Sequence, residues 1–243
     1  MKNISLKQIT LIICYLVSSQ INADNHLNHQ SQVNSNITAK KQSSIDVIDS
    51  NKPITTIRQL ENFDEVESKI SANIDVVFSD DHYCEISGNK KIVDNISSEI
   101  KSFNHKRRLI IDTRLPYMTR QHLRIKISAK HLSSIIQSGS GNINIHNYQG
   151  DVLNIALYGS GDIFGNGNAR QLQLFLYGSG SLYFDHLKAN NVLANINGSG
   201  EIITHSLNNL TSVINGNGRI LYYGYPNKIH QTIIGNGELI NLN

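Results

Sequence analysis

Carboxylates are the side chains of this sequence with the clearest potential for hydrolytic chemistry, because cleaving a glycosidic bond needs two of them about 5 to 9.5 Å apart. In the C-terminal half, acidic residues stand at Asp151, Asp162, Asp185, Glu201 and Glu238. Asp162, Glu201 and Glu238 share one position relative to a repeated glycine motif, but they do not come from consecutive repeats. If the repeats stack about 4.8 Å apart, these carboxylates lie about 10 Å or more from one another. This column therefore predicts no catalytic pair, and only a pair formed across different columns stays open.

Histidine and cysteine offer little support for a metal or cofactor site. Of the ten histidines, His186 and His205 lie at similar distances after their glycine motifs, which predicts neighbours about 5 Å apart on adjacent repeats. Two ligands without a third do not make a zinc site. Cys84 is the only cysteine outside the N-terminal apolar segment, and its strand-like surroundings indicate a small buried hydrophobe. We expect no metal and no cofactor.

Tyrosine is the residue type that could form a binding surface. Tyr158 and Tyr177 occupy the same position directly before a glycine motif, and Tyr222, Tyr223 and Tyr225 cluster near the C-terminal end. Stacked, exposed tyrosines would form a flat amphipathic surface for a sugar ring or a protein partner. The simpler interpretation is a structural aromatic ladder that covers the turn. These five tyrosines are the candidate ligand surface.

A repeated glycine motif defines the elements that must position these side chains. Six Gly-x-Gly tripeptides follow one another at steps of 20, 19, 20, 18 and 19 residues. Their glycines are Gly139, Gly141, Gly159, Gly161, Gly178, Gly180, Gly198, Gly200, Gly216, Gly218, Gly235 and Gly237. Glycine on both sides suits a corner that needs positive φ or close backbone approach. A near-constant period of this length indicates one supersecondary unit stacked on copies of itself.

Aliphatic residues flank the glycine motifs in two columns. The second residue after each motif is Ile143, Ile163, Leu182, Ile202, Ile220 or Leu239. The second residue before it is Leu157, Leu176, Ile196, Ile214 or Ile233 in the later repeats. The first repeat has Gln137 there and Ile136 one place earlier, as though that coil held an extra residue. The pattern predicts inward-facing columns on both sides of each turn.

The middle residue of the motif forms a third column. It is Ser140, Ser160, Ser179, Ser199, Asn217 and Asn236 in turn, so like side chains would stack and hydrogen-bond along a ladder. A unit of about 19 residues has room for three short strands and three turns. The sequence therefore predicts an all-β, single-stranded parallel β-helix with coils of about 19 residues.

The N-terminal residues differ in composition from the repeats. A basic start, a short apolar run and a small residue at Ala23 predict a signal peptide over 1–23, with no transmembrane segment after its cleavage. Residues 24–56, rich in Asn, Ser and Gln, predict a flexible leader. The folded domain is then 57–243, with irregular coils over 57–132 and regular Gly-x-Gly coils over 133–243. Inside the irregular part, 91–100 could form a short helical turn.

The sequence resembles the bacterial head GIN domain family. Its domain has no known function and is named for the heads of autotransporter adhesins. The resemblance runs from about Arg58 to Asn243. It rests on 58–66 (RQLENFDEV), 74–78 (IDVVF), the repeated Gly-Ser-Gly turns and 222–226 (YYGYP). The last two turns depart from it by having Asn in place of Ser. The resemblance implies a right-handed β-helix that is secreted or associated with the cell envelope, and it brings no established catalytic residues.

These observations predict an exported, non-enzymatic β-helix that acts as an adhesin-like binding or surface module in the periplasm, in the cell envelope or outside the bacterium. A glycan or an envelope protein is the expected partner. A net charge of only +3 argues against nucleic acid. A carbohydrate-active enzyme on a β-helix, and a purely structural envelope protein, are the alternatives. The last coil predicts either an edge made polar by Asn241 and Asn243 or self-association there.

Overall fold

Fifteen β-strands supply nearly all the regular structure of residues 52–114 and 123–243, which are the residues that the computed structural model describes. The strands are β1 (Pro53–Gln59), β2 (Glu65–Ser68), β3 (Asn73–Phe78), β4 (Tyr83–Asn89), β5 (Ile96–Phe103), β6 (Lys106–Thr113), β7 (Arg124–Ala129), β8 (Ser134–Gln137), β9 (Asn142–Gly159), β10 (Asp162–Gly178), β11 (Ser181–Gly198), β12 (Glu201–Gly216), β13 (Arg219–Tyr223), β14 (Lys228–Gly235) and β15 (Glu238–Asn241). One helical turn, α1 (Lys90–Val93), lies among them. Strands make up 74% of the described residues, so the predicted all-β class is confirmed. The predicted signal peptide and most of the predicted leader lie outside these residues.

The four long strands β9 to β12 form the regular part of the molecule. Each long strand begins on one level of the stack and ends on the next. The first part of β9, for example, pairs with β3 and its last part pairs with β8. The long strands then pair in parallel, β9 with β10, β10 with β11 and β11 with β12. Most of their inward residues are aliphatic and buried, as at Ile163, Leu182 and Ile202. The result is a β-solenoid of about six turns with coils of about 19 residues, which confirms the predicted parallel β-helix.

The glycine turns divide the outer surface of the stack into two faces. We call the outward residues of β6, β2, β8, the segments that end at Gly159, Gly178, Gly198 and Gly216, and β14 the pre-turn face. The post-turn face consists of the outward residues of β7, β3, the first segments of β9 to β12, β13 and β15. Within either face, residues in register on adjacent coils lie about 4.8 Å apart.

Each turn is tight because successive turns stack backbone on backbone. Gly178 has a φ of +133°, and a Cβ at this position would lie 2.4 Å from the carbonyl oxygen of Gly159. One coil further on, the Ser199 N–H donates to the carbonyl oxygen of Gly178 at 3.0 Å. In the five later motifs, the first glycine has a positive φ and its Cα lies against the neighbouring coil, so both its backbone conformation and that coil require glycine.

The stack of turns begins one level earlier than the glycines indicate. Ile70, Ser71 and Ala72 lie under the first Gly-x-Gly motif, and a Cβ on Gly141 would lie 2.0 Å from the Ala72 carbonyl oxygen. The Ser71 and Ser140 hydroxyls are 3.0 Å apart and share a hydrogen bond, so Ser71 lies directly beneath the predicted Ser/Asn column. At the later turns, backbone bonds such as Asn217 N–H to the Gly198 carbonyl, 3.0 Å, join the coils.

Gln137 is the first correction to the predicted columns. The coil holds no extra residue, because Gln137 is in register with Leu157 and Ile136 with Ala156. Gln137 is fully buried in the aliphatic column, and its Nε2 donates to the Gly141 carbonyl oxygen at 2.7 Å. The side chain thus ties the first regular turn together from inside, a contact that takes the place of aliphatic packing.

The N-terminal part differs from the predicted run of irregular coils. The segments β2–β3 and β6–β7 do form parallel levels of the stack. The strands β1, β4 and β5 instead pair antiparallel, β4 with both β1 and β7, and β5 with β6. Since a solenoid end would otherwise present open strand edges, these antiparallel strands cover the N-terminal level.

Two predicted boundaries change in this region. Strand β1 begins at Pro53, inside the segment predicted as leader to residue 56. The helical turn predicted for 91–100 is limited to Lys90–Val93, because Ile96–Phe103 is a strand. Asn89 caps the turn by accepting the Lys91 N–H at 2.9 Å. Cys84 is fully buried in β4, as expected of a small core residue.

At the other end, the strands of the last coil, β14 and β15, pair with β12 and β13. The Asn243 side chain bonds the backbone of Gly224, whose N–H donates to Asn243 Oδ1 at 3.1 Å. Asn241 Oδ1 accepts the Asn243 N–H at 2.8 Å. These contacts fit the predicted polar edge, and self-association at this coil stays a prediction.

Candidate ligand surface

Two tyrosines form a stacked pair on the pre-turn face. Tyr158 and Tyr177 are in register on adjacent coils, with ring centroids 4.8 Å apart and planes inclined by 4°. Both side chains are half-buried. The next residue in the column is Asn197, so the aromatic ladder stops after two rings. The predicted stacking of these two tyrosines is confirmed.

A charged cluster lies on the same face, toward the N-terminal end. Arg108 contacts Glu65 at 2.8 Å and Glu67 at 3.0 Å, and all three side chains are largely buried. Burial opposes the charge of Arg108, but hydrogen bonds from the guanidinium to Glu65 and Glu67 outweigh it and raise its pKa above the usual value. The cluster thus holds its charges in fixed positions beside the tyrosines.

The pKa of Tyr158 is raised by these surroundings. Burial is the main cause that raises it to about 12, and Tyr177 and Glu67 add to the effect. Burial also raises the pKa of Tyr177. Both phenols therefore remain neutral hydrogen-bond donors over the whole physiological range. A half-buried ring with a neutral hydroxyl can stack with an apolar face and bond a polar group at its tip.

We expect the folded state to lose stability as the pH rises from about 10 toward 12, because an unfolded tyrosine ionises near pH 10 whereas folded Tyr158 holds its proton. Below that range both states bind this proton, so Tyr158 does not change the stability there. Within it only the unfolded state releases the proton, so the free energy of unfolding falls. The midpoints of urea unfolding at about pH 9 and about pH 11 will measure this loss of stability with rising pH. Tyr148 and Cys84, with pKa values also raised by burial to about 12, act in the same direction.

The variant Tyr158→Phe should show a smaller alkaline loss of stability than the unmodified chain. The matched control is Tyr225→Phe, since the Tyr225 side chain is 82% exposed. An alkaline slope that is identical in all three proteins contradicts the assignment of a raised pKa to Tyr158.

The C-terminal tyrosines do not form the predicted common surface. Tyr222 is only 7% exposed and points inward, in register with buried Thr204, so its assignment to a ligand surface is wrong. Tyr223 is half-buried against His205, with ring centroids 6.3 Å apart. Tyr225 alone projects freely into solvent.

The acidic column has the predicted register and no acid pair. Asp162, Ser181, Glu201, Arg219 and Glu238 follow one another on consecutive coils. Arg219 lies between the two glutamates and its Nη2 contacts Glu201 Oε2 at 2.7 Å. This column therefore makes an ion pair along the surface.

The predicted histidine neighbours are separated by a shift in register. After the pair of Phe184 with Thr204, β11 has three residues without a counterpart in β12, and Lys188, not His186, lies opposite His205. His186 contacts Asp185 instead, with Nδ1 3.2 Å from Oδ2. Within 52–114 and 123–243, no group of three or more His, Cys, Asp or Glu side chains is placed to hold a metal ion.

A cavity of about 350 Å³ lies between the residues that follow β7 and the middle of β9, lined in part by Leu132, Tyr148, Asp64 and Asp151. Its acidic side chains are already engaged. Asp64 Oδ2 accepts the Arg107 N–H at 3.0 Å, and hydrogen bonds from Arg170 hold the pKa of Asp151 below its usual range. Carboxylates that are fixed in this way are poor candidates for proton transfer.

Sequence reasoning missed a second aromatic pair, on the post-turn face. Phe164 and Tyr183 stack with centroids 4.8 Å apart and planes inclined by 12°. They belong to the column three residues after each glycine motif, which reads Asn144, Phe164, Tyr183, Ile203, Leu221 and Ile240. The glycine alignment contains this column, and its apolar residues are the signal that could have revealed it.

The fold and these surfaces define a class of protein: a parallel β-solenoid whose two strand faces each present a stacked aromatic pair. A family model described as "Putative auto-transporter adhesin, head GIN domain" matches residues 62–226, and the chain belongs to that family. The resemblance drawn from the sequence is thereby confirmed. No helix in the described part of the chain has the length and hydropathy of a membrane span.

Two solved structures have the same fold. A putative adhesin from Bacteroides fragilis superposes with a TM-score of 0.62 at 22% sequence identity, over 79% of this chain and 97% of its own. A putative lipid binding protein from Parabacteroides distasonis gives a TM-score of 0.52 at 23% identity over the same shares. At these identities the likeness establishes the fold alone. A comparison with curated proteins gives no match.

Proposed function

We propose that the chain is an exported, non-enzymatic binding module of adhesin type, and that the Tyr158 and Tyr177 pair on the pre-turn face is its ligand surface. The observation that carries this proposal is the stacking of two neutral tyrosines, 4.8 Å apart, on a rigid strand scaffold. Membership of a family named for adhesin heads supports it. A saccharide is the ligand class that fits best.

The chemistry of the pair favours a sugar. The C–H face of a pyranose packs against aromatic surface, while its hydroxyls need hydrogen-bond partners at the rim. The tyrosine hydroxyls supply donors, and the carboxylates of Glu65 and Glu67, held by Arg108, supply acceptors on the same face. Because rigid strands hold these groups, binding costs little ordering of side chains.

Replacing both tyrosines should weaken saccharide binding about tenfold or more, since two stacked aromatic contacts are lost. Calorimetric titration of Tyr158→Ala/Tyr177→Ala with cellotetraose, mannotetraose and chitotetraose will measure the change. Tyr225→Ala removes one exposed tyrosine far along the stack and is the matched control. If the control loses affinity and the double variant does not, the ligand surface is not on the pre-turn face.

The absence of turnover is a separate part of the proposal. The unmodified chain, incubated with the same oligosaccharides, should release no new reducing ends and no unsaturated products. Depolymerisation of any of them would identify a carbohydrate-active enzyme instead. Export is tested by fractionating the native bacterium, where recovery of the protein in the cytoplasm contradicts the proposal.

A further inference from the structure

The post-turn face carries a shallow cavity beside its aromatic pair. Asn144, His146, Phe164, Tyr183 and Asp185 line it, and its volume is about 140 Å³. Ordinary small-molecule pockets measure roughly 300 to 1,000 Å³, so this one accommodates a single ring and not a whole chain. Any larger ligand must lie along the surface and insert one unit.

One ring face of Phe164 is open to this cavity. Tyr183 covers the other face of the ring from the next coil, whereas the residue in register on the preceding coil is Asn144. An amide is much smaller than a ring, so the aromatic ladder begins at Phe164 with a notch beneath it. The Phe164 side chain is 37% exposed.

A prearranged polar group borders the notch. Asp75 Oδ1 accepts hydrogen bonds from Asn144 Nδ2 and from His146 Nε2, both at 3.1 Å. With a carboxylate oxygen as the acceptor, Nε2 of His146 is the donor in this hydrogen bond. The second oxygen of Asp75 has no partner among the described residues, and its side chain is 46% exposed.

The opposite rim holds a second acidic group. Asp185 contacts His186, with Oδ2 3.2 Å from Nδ1, and the Asp185 side chain is 31% exposed. Among the described residues, the lining of the cavity thus includes an aromatic wall and the carboxylate of Asp185, with no lysine or arginine, and Asp75 is bonded to two of the lining side chains. This balance disfavours acidic ligands and suits one rich in hydroxyl donors.

We propose that this cavity is a second saccharide site, which takes one neutral hexose or N-acetylhexosamine unit on the open face of Phe164. The sugar hydroxyls donate to Asp75 and Asp185 while the C–H face of the ring packs on the phenyl group. The site goes beyond the pre-turn surface, since the glycine turns separate the two faces. A chain with both sites binds two saccharide units, and linked units gain from effective concentration.

The test is a site-resolved titration of the full chain with cellotetraose, mannotetraose and chitotetraose, followed by backbone amide NMR. We expect shifts at residues around Asn144, Phe164 and Tyr183, with a stoichiometry of two. The variants Phe164→Ala and Asp75→Asn should weaken the binding reported by these signals about five- to tenfold each. Asp75→Asn changes neither volume nor core packing, so it covers the case in which Phe164→Ala is unstable.

The matched control is Leu221→Ala, which removes an apolar side chain from the same column two coils beyond Tyr183 and should leave the binding unchanged. Persistence of post-turn shifts in Tyr158→Ala/Tyr177→Ala supports the second site by itself. Shifts confined to the pre-turn face, with a stoichiometry of one, overturn this inference and leave the proposed function intact. Shifts at neither face overturn both.

Discussion

Replacing Phe184 by alanine should lower the free energy of unfolding by about 3 to 5 kcal/mol, the range measured for phenylalanine removed from packed cores. Phe184 is the largest side chain that is fully buried in the solenoid. Its ring fills space that the preceding coil leaves open, because the residue beneath it is Gly165, where a Cβ would lie 2.3 Å from the Phe184 ring. Alanine would leave two adjacent small residues and a cavity that rigid strands cannot close.

Urea denaturation followed by far-UV circular dichroism measures this loss. The control is Phe164→Ala, one coil earlier and on the outer surface, which should cost less than about 1.5 kcal/mol through its lost stacking with Tyr183. Comparing denaturant slopes shows whether the variant still unfolds in one step. If Phe184→Ala loses no more unfolding free energy than about 1.5 kcal/mol, as expected for the control, the core has collapsed into the cavity.

The second large effect is expected at a glycine turn. Gly178→Ala should destabilise the chain by about 3 kcal/mol or more, because a non-glycine residue at a φ of +133° is strained and the new Cβ would meet the Gly159 carbonyl oxygen at 2.4 Å. Relief of that contact requires the two coils to separate, and their backbone hydrogen bonds hold them at this spacing.

Ser179→Ala is the matched control for the turn. The side chain is exposed and adjacent in sequence, so its removal should change stability by less than about 0.5 kcal/mol. Thermal unfolding of both variants compares their stabilities. If Gly178→Ala melts with the control, the turn can widen and the stacking of backbones is not what demands glycine.

The sequence predicted the parallel coils well because the constraint is local and repeated. An aliphatic residue two places from each glycine motif must face inward once the turns stack, and the structure places Ile143 and Leu176 there. The same alternation, continued two residues further, points Phe184 and Tyr222 inward as well. The sequence places Tyr222 beside other tyrosines, which favours a surface cluster, but strand alternation turns Tyr222 inward and separates it from them.

Other features do not follow from the regular spacing of the glycine motifs. Corner lengths vary from coil to coil, so counting residues from a glycine put His186 opposite His205, where the structure has Lys188. The pairing of Arg58 with Cys84 in the N-terminal cap joins residues without a shared motif. Contacts between Asp75 and His146 likewise depend on a coil that is distant in sequence, and no spacing rule predicts them.

The order of the coils in space bears on how this chain folds. In the stack, strands β2 and β3 lie between the level of β6 and β7 and the level of β8 and β9. Ser71 therefore contacts Ser140, which lies 69 residues further along the chain. Closing a loop of that length costs more conformational entropy than closing a later coil, so we expect this level to form slowly. Later coils meet partners only 18 or 19 residues back, as Arg219 meets Glu201, and add by rapid propagation. We therefore expect the glycine coils to form on one another more readily than on the level of Ser71, whose closure is the slow step of folding.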